Sequence, residues 1–205
     1  MAEPTLVLAS GSPRRAALLA RLGLSPQIRP PEVDEWRREG EHPAALVARL
    51  AGSKARAVHR VGDREVVLAA DTVVVLDGEP LGKPGDDGAA AEMLQRLSGR
   101  THEVLTAVAV HTDGACHRAT ETTRVRFRPL TAEEVTWYLE TGEPRDKAGA
   151  YGLQGAGAAL VERVEGSDTN VIGLPLSTTV GLLRAAGLDV LRPDRRPGTA
   201  HPAGS

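Results

Sequence analysis

The stretch TLVLASGSPRRAALLARLG, residues 5–23, decides how this chain begins to fold. Residues 5–9 form a short apolar run, which predicts a strand covered on both faces. Ser12 is a typical N-cap, Pro13 suits the first helical position, and Gly23 ends the helix after a repeat of leucines. A strand, a tight turn and a helix in this order are the opening of an α/β unit.

The two arginines in this stretch, Arg14 and Arg15, carry the wrong charge for the start of a helix, whose dipole favours anions there. The free backbone N–H groups of a first turn, the hydroxyls of Ser10 and Ser12 and the guanidinium groups all attract an anion. The Walker, Rossmann and nucleophile-elbow glycine patterns are absent from the sequence. The turn therefore predicts an anion site of another kind, with a solvated arginine pair as the alternative.

Helices and strands alternate along the rest of the chain. The patterns predict a helix over 43–61, a strand over 66–78, a helix from Asp86 or Asp87 to Gly99, a hairpin over 101–129 turning at Asp113-Gly114, a helix from the capping box of Thr131 and Glu134 to Gly142, a strand near 158–164 and a helix near 175–187. The glycine-rich segment KAGAYGLQGAGA, residues 147–158, is typical of a loop.

This order predicts one α/β domain over residues 1–192, built on a mixed β-sheet flanked by helices. The region around 101–142 is expected to form a smaller lobe within it. The Pro-, Gly- and polar-rich end, residues 193–205, is expected to be a disordered tail.

Composition excludes several classes of function. The 205 residues carry a net charge of −2, so no global basic field attracts nucleic acid or an anionic membrane. Five aromatic side chains leave little for stacking on nucleic-acid bases. The single cysteine, Cys116, excludes an internal disulfide and fits a reducing compartment. No secretory leader or membrane span is visible, so we expect a cytoplasmic protein.

Lysine is rare in this sequence, and the positions of the few lysines indicate candidate site residues. Of 25 basic residues only three are lysines, Lys54, Lys83 and Lys147. Coding bias can explain the excess of arginine, but a compact ammonium is not interchangeable with a planar guanidinium. Lys54 falls on the apolar stripe of the helix over 43–61, seven residues after Val47. A lysine that faces inward is unusual unless it is paired.

Asp71 is a carboxylate within the apolar run VVLAADTVVVLDG. Burying it is costly unless it is paired, hydrogen-bonded or bound to a metal; the alternative is a strand end that reaches solvent. Glu35 is a second candidate, although Glu32 and Asp34 beside it are chemically equivalent. Two carboxylates and a polyphosphate would suit Mg²⁺ or Mn²⁺. The six histidines show no spacing typical of a zinc site.

Eight motifs occur in order: LASGSPRR, VDE, LAGSKA, AADTVV, LGKP, LSGRTHEV, GEPRDKAGAYGLQG and NVIGLPL. Together they resemble the Maf family of nucleoside triphosphate pyrophosphatases over about residues 5–189. The resemblance implies a fold similar to that of the inosine-triphosphate pyrophosphatases, with the substrate in a central cleft. It also implies hydrolysis of a nucleoside triphosphate to the monophosphate and pyrophosphate with a divalent metal, Mg²⁺ or Mn²⁺.

The resemblance also implies roles for particular residues. The family's catalytic aspartate matches Asp71. Its other functional positions match Arg14 and Thr72 for substrate selection, Gln154 for base selection, and Ser10, Glu35, Lys54 and Lys83 for substrate or metal binding. Glu35 and Asp71 are the expected metal ligands. One departure is Ala107, where the family commonly has glycine.

The segment KAGAYGLQG follows the family branch that acts on dTTP and UTP rather than the branch that acts on 7-methyl-GTP. We therefore expect a dTTP and UTP pyrophosphatase whose partner is the nucleotide, with no nucleic acid and no membrane; a homodimer stays open. The alternative is a nucleotide-binding regulator of cell division and septum formation in which hydrolysis is slow or incidental.

Overall fold

The computed structural model describes residues 4–191, which fold around one seven-stranded mixed sheet. The strands are β1 Thr5–Leu8, β2 Gln27–Ile28, β3 Glu65–Leu76, β4 Glu79–Leu81, β5 Thr101–His111, β6 Cys116–Phe127 and β7 Val161–Glu165. Their order is β2-β1-β3-β5-β6-β7, and β4 pairs with β3. The pairs of β1 with β2 and β3 are parallel and the others antiparallel, which confirms the predicted mixed sheet.

Six α-helices are described in this range. They are α1 Pro13–Ala20, α2 Pro43–Val58, α3 Asp87–Leu97, α4 Ala132–Glu140, α5 Asp168–Ile172 and α6 Leu176–Ala185. Three short 3₁₀ turns, Glu143–Asp146, Ala148–Ala150 and Ala156–Leu160, follow α4. The glycine-rich segment is thus a loop interrupted by tight turns, as its composition indicates.

The helix starts follow the predicted capping chemistry. Asp86 caps α3 by accepting a hydrogen bond from Ala89 N at 2.7 Å, and Thr131 and Glu134 form the expected capping box of α4. The predicted end of α2 was wrong: the helix stops at Val58, not 61. The side chain of Val61 is 87% exposed, so no core contact extends the helix to it.

Side chains alternate across β3, so its two faces pack against different helices. Even-numbered residues from Val66 to Ala70 share a core with α1 and α6. Further along the same face, Val74 and Leu76 share a core with α3 and α4. The odd-numbered apolar residues between Val67 and Val75 pack against α2. Position 72 therefore falls between two cores on one face, and position 71 faces α2.

One edge of β3 is open in its middle. β1 pairs with Glu65–Leu68, β4 pairs with Val74–Leu76, and β5 occupies the opposite edge. No strand in the described range covers this edge between Leu68 and Val74. Side chains from both faces of the strand can therefore reach the same opening.

Within residues 4–191, no helix has the length and apolar character needed to cross a membrane. The tail predicted for residues 193–205 lies outside the described residues.

Candidate active site

A cleft of about 610 Å³ lies at the open edge of β3. Its walls come from the β1–α1 turn, α2, the β4–α3 connection and the loop after α4. It is lined by all eight residues that the sequence singled out, Ser10, Arg14, Glu35, Lys54, Asp71, Thr72, Lys83 and Gln154. The structure thus brings together residues that are spread over about 145 positions of the chain.

Lys54 joins two carboxylates at the floor of the cleft. Because it lies on the face of α2 that packs on β3, its ammonium reaches Asp71 Oδ1 at 2.6 Å. It also reaches Glu35 Oε1, on the loop before α2, at 2.7 Å. Lys54 and Asp71 are 7% and 9% exposed, whereas Glu35 is exposed to the cleft. The inward-facing lysine predicted from the sequence is therefore paired.

The Asp71 carboxylate is easier to protonate than an ordinary aspartate. Burial raises its pKa above the usual value, and the positive charge of Lys54 offsets part of that rise. Its second oxygen, Oδ2, accepts no hydrogen bond from residues 4–191, so it is available to a water molecule or a cation. On the neighbouring strand Ala107 lies directly opposite Asp71.

Thr72 lies on the other face of β3 and is held by a network of hydrogen bonds. Its hydroxyl lies 2.9 Å from Thr106 Oγ1 and accepts from Arg15 Nη2 at 3.3 Å. Thr106 in turn donates to the Asn170 carbonyl at 3.0 Å. Although Asp71 and Thr72 point to opposite faces, both line the cleft because the strand edge between them is open.

The two arginines of the first turn have different surroundings. Arg15, which we expected to face the anion with Arg14, donates to Gly173 O at 2.9 Å and to Ser10 Oγ at 3.1 Å. It lines the cleft but also fastens the β1–α1 turn to residues from the other end of the chain. This fastening role was not predicted, because the partner Gly173 is 158 residues away.

Arg14, in the first turn of α1, reaches across the cleft to a charge cluster around Asp146 and Lys147. It contacts Asp146 Oδ2 at 2.5 Å, and Lys147 contacts the other oxygen of that carboxylate at 2.7 Å. Burial alone would raise the pKa of Asp146, but the hydrogen bonds from Lys147 and Arg14 outweigh it and lower the pKa to about 2. Asp146 was not among the predicted site residues; its position beside Lys147 in GEPRDK was the available signal. Lys83 forms no ion pair within the described range.

The cleft has a net positive charge. Five cations line it, Arg14, Arg15, Lys54, Lys83 and Lys147, against three carboxylates, Glu35, Asp71 and Asp146. The formal balance is therefore +2. This charge would attract a polyanion into the cleft. Gln154 is exposed at the far wall, and its uncharged amide could bind a ligand group that carries no charge.

Two carboxylates of the cleft, Glu35 and Asp71, are the donors available to a hard divalent cation. Glu35 and Asp71 oxygens lie no more than about 5 Å apart, since each is within 2.7 Å of the same nitrogen. No cluster of three or more His, Cys, Asp or Glu side chains forms a metal site within residues 4–191. This set suits Mg²⁺, which is commonly held by one or two carboxylates together with water and the oxygens of a phosphorylated substrate.

Comparison with known proteins finds similar sequences over most of this chain. The family model described as Maf-like protein matches residues 5–186, a range that contains every residue lining the cleft. A dTTP/UTP pyrophosphatase of Symbiobacterium thermophilum is 52% identical over 185 residues, covering 90% of this chain and 95% of that protein. A dTTP/UTP pyrophosphatase of Anaeromyxobacter dehalogenans is 55% identical over 188 residues, with the same coverage of each chain. The solved structure of the Staphylococcus aureus Ham1 protein aligns with a TM-score of 0.41 at 16% identity, covering 60% of this chain and 71% of that chain.

Proposed function

This chain belongs to the Maf-like protein family, and from that premise we propose that it hydrolyses dTTP and UTP to the monophosphate and pyrophosphate. The observation that carries the proposal is the joining, in one cleft, of a buried carboxylate–lysine pair, a cluster of cations and an amide-bearing loop. A nucleoside triphosphate needs each of these parts: positive charge for the phosphates, a group that activates water, and a selector for the base.

Charge complementarity supports a metal-bound triphosphate as substrate. A triphosphate carries about four negative charges, and one divalent cation reduces this to about two. The +2 balance of the cleft matches that remainder. We assign the phosphates to Arg14, Lys83 and Lys147, with Ser10 and the backbone of the β1–α1 turn completing the anion site.

Glu35 and Asp71 would hold the divalent cation, Mg²⁺ or Mn²⁺, together with phosphate oxygens of the substrate. When bound, the cation supplies Lewis-acid stabilisation of the charge that develops on the phosphoryl oxygens. Lys54 keeps the two carboxylates together, because its ammonium contacts both of them.

Asp71 is the proposed general base. Its Oδ2 takes a proton from a water molecule whose oxygen bonds to the α-phosphorus. The bond from the α-phosphorus to the α–β bridging oxygen breaks, and pyrophosphate leaves with that oxygen and the electron pair. Lys54 on Oδ1 fixes the orientation of the carboxylate during this step. Thr72, held by Thr106 and Arg15, is placed to contact the substrate from the other face of the strand.

Gln154 is the proposed selector of the base. Its amide offers one acceptor and a donor group, which can match the N3–H and O4 edge shared by uracil and thymine. Gln154→Glu removes the donor and adds a negative charge. We expect kcat/KM for UTP and dTTP to fall together, by about 10²-fold or more. An unchanged ranking of UTP, dTTP, CTP and GTP after the substitution would remove Gln154 as the selector.

The direct test is pyrophosphate release from a panel of triphosphates with Mg²⁺, with Mn²⁺ and with chelator. We expect rapid turnover of dTTP and UTP that depends on the metal. Binding of nucleotide without turnover under any of these conditions would contradict the proposal and favour the alternative, a regulator of cell division.

Two further expectations belong with this function. We propose a cytoplasmic location, which the single cysteine supports. The assembly stays open between a monomer and a homodimer, and light scattering of the purified protein distinguishes the two.

A further inference from the structure

The loop that carries Gln154 is fastened at both ends by side chains from one neighbouring segment. At its start, Gly152 N donates to Tyr138 Oη at 3.1 Å. At its end, Ala156 N donates to Glu143 Oε2 at 2.8 Å. Tyr138 lies on α4, and Glu143 opens the 3₁₀ turn that follows it. Gln154 therefore sits in the middle of a short span whose two ends are held.

The Glu143 carboxylate also fills the space beneath this span. A Cβ added to Gly152 would lie 2.6 Å from Lys147 Cε and 2.7 Å from Glu143 Oε1, and one added to Gly155 would lie 2.5 Å from Glu143 Oε2. All three distances are far below contact. Gly155 has φ −122°, so it does not lie in the left-handed region that favours glycine. The nearest obstacle to a side chain at position 155 is therefore the Glu143 carboxylate.

The placement of the Glu143 carboxylate beneath the loop is not explained by a contribution to stability alone. Its Oε1 is buried and receives no well-formed hydrogen bond from the described residues, although the Tyr138 hydroxyl lies beside the carboxylate. A buried acceptor without a partner costs about 1–3 kcal/mol. Burial, with a smaller contribution from the Glu143 charge, raises the pKa of the adjacent Tyr138 hydroxyl, so that hydroxyl stays neutral. A charged group kept under such conditions indicates a role in the site that it supports.

We propose that Glu143 is a positioning residue that sets the base selectivity of the cleft by fixing the backbone of residues 152–156. This inference rests on the proposed function, since it concerns the choice of base in the same reaction. A free amide can turn over and present its donor and acceptor in the reverse order, which suits cytosine. A backbone held at both ends limits how the Gln154 amide can be presented, so uracil and thymine are preferred.

Glu143→Ala tests the proposal through the ratio of kcat/KM for UTP to that for CTP. Because the span loses one anchor, we expect the ratio to fall by about 10- to 100-fold, mainly through KM for UTP. Glu143→Gln keeps an oxygen that can accept from Ala156 N, so it should retain most of the ratio. The matched control is Glu140→Ala, an exposed carboxylate at the end of α4, which should leave the ratio unchanged.

Gly155→Ala provides a second test that does not remove the carboxylate. Its methyl group would collide with Glu143, so we expect the ratio to fall in the wild-type background. In Glu143→Ala the collision is absent, and adding Gly155→Ala should have little further effect. Such non-additivity is the signature of direct coupling between the two positions. Additive effects of the two substitutions would overturn the proposal.

These measurements separate the two proposals. If the wild type prefers UTP and a folded Glu143→Ala or Gly155→Ala variant keeps that preference, the role of Glu143 is refuted and the proposed function stands. If the wild type hydrolyses no triphosphate, the proposed function and the proposed role of Glu143 are both refuted. The melting temperature of each variant shows whether it is folded. If Glu143→Ala is unfolded, Gly155→Ala decides the question alone: a lowered ratio supports the role of Glu143, and an unchanged ratio in the folded variant refutes it.

Discussion

At Asp71, burial and the Lys54 ammonium act on one carboxylate in opposite directions. Burial raises its pKa and is the larger effect, while Lys54 and, more weakly, Arg15 lower it. The result is a carboxylate that is easier to protonate than usual yet remains paired with a cation at 2.6 Å. A general base needs this combination, because it must be ionised before the reaction and able to accept a proton during it.

Asp71→Asn is expected to lower kcat by about 10²- to 10⁴-fold, since the shape is kept and the base is lost. Loss of a metal ligand would add to this effect. The control is Asp77→Asn at the end of the same strand, where the carboxylate is exposed and φ is 55°, a conformation that asparagine tolerates. Steady-state turnover of dTTP measures both. Activity of Asp71→Asn within a few-fold of wild type would exclude Asp71 from the chemistry.

Lys54→Met removes the partner of a buried carboxylate. Methionine would be neutral or stabilising here if no anion faced the lysine, but the structure places two carboxylates against it. We therefore expect destabilisation on the order of 3 kcal/mol at pH 7. The destabilisation caused by Lys54→Met should become smaller as the pH falls, because protonation of Asp71 removes the unpaired negative charge. Urea unfolding at several pH values measures it, with Lys83→Met as the unpaired control for stability.

The same substitution has a kinetic consequence whose sign follows from the pKa of Asp71. The base works when ionised, so kcat/KM falls as the pH drops through this pKa. Because the pKa is raised, the fall occurs at a higher pH than for an ordinary aspartate. Lys54→Met removes a charge that lowers the pKa, so its residual activity should fall at a still higher pH. If kcat/KM of Lys54→Met falls at the same low pH as kcat/KM of the wild type, a group other than Asp71 controls this fall.

Single residues were predictable from sequence where they broke a local pattern. Asp71 interrupts an apolar strand and Lys54 an apolar helical stripe, and the structure places both in the cleft. Arg15, Asp146 and Glu143 could not be assigned in this way. Their roles depend on partners or spatial neighbours that local patterns do not reveal.

At the scale of elements, most segments were predictable, including the four-residue β1, but three short ones were not. The sheet's long strands and α1 to α4 agree in type with their sequence patterns. The strands β2 and β4, of two and three residues, and the five-residue α5 are too short to show a period. Yet β4 defines one end of the open edge of β3. The position of the cleft on the sheet therefore could not be read from the sequence, although the residues that line it could.

The face of α2 that lies under Arg118 offers a test at this scale. Gly52→Ala places a methyl group 3.1 Å from the Arg118 guanidinium carbon, which is the far end of an exposed, flexible side chain. Since that side chain can move, we expect the helix preference for alanine to prevail and stability to rise by up to about 1 kcal/mol.

The matched control is Gly181→Ala in α6, where the new methyl group meets nothing within 4 Å. The difference between the two gains in unfolding free energy, measured in urea, is the cost of displacing Arg118. A loss of stability in Gly52→Ala, with a gain in Gly181→Ala, would show that Arg118 is held firmly over the helix.

Across the whole molecule, the cleft separates two walls that a ligand would bridge. One wall carries the β1–α1 turn and Arg15, and the other carries the cluster around Lys147 and the Gln154 loop. The expectation of a single domain over residues 1–192, with a smaller lobe around 101–142, stays a prediction. Ligand binding tests the prediction of a single domain. A ligand that contacts both walls should stabilise them together, so that they unfold as one unit.

A dTTP analogue with a non-hydrolysable α–β link should raise the melting temperature when Mg²⁺ is present. At a hundred times its Kd the expected stabilisation is about 2.7 kcal/mol. In chelator the shift should be much smaller, because a bare triphosphate exceeds the +2 charge of the cleft. Differential scanning fluorimetry measures both conditions. An equal shift without the metal would contradict the proposed role of Glu35 and Asp71 as its ligands.

The hydrogen bond from Arg15 to the Gly173 carbonyl and the ion pair from Arg14 to Asp146 join positions 158 and 132 residues apart. Contacts of this range form late, because the chain entropy of the long loops must be overcome first. During synthesis β3 leaves the ribosome about a hundred residues before Gly173 does. A nascent chain that lacks Gly173 therefore contains the proposed base, Asp71, while the β1–α1 turn is still without its anchor. Such a chain is expected to bind nucleotides poorly until the segment around Gly173 has been synthesised and has folded.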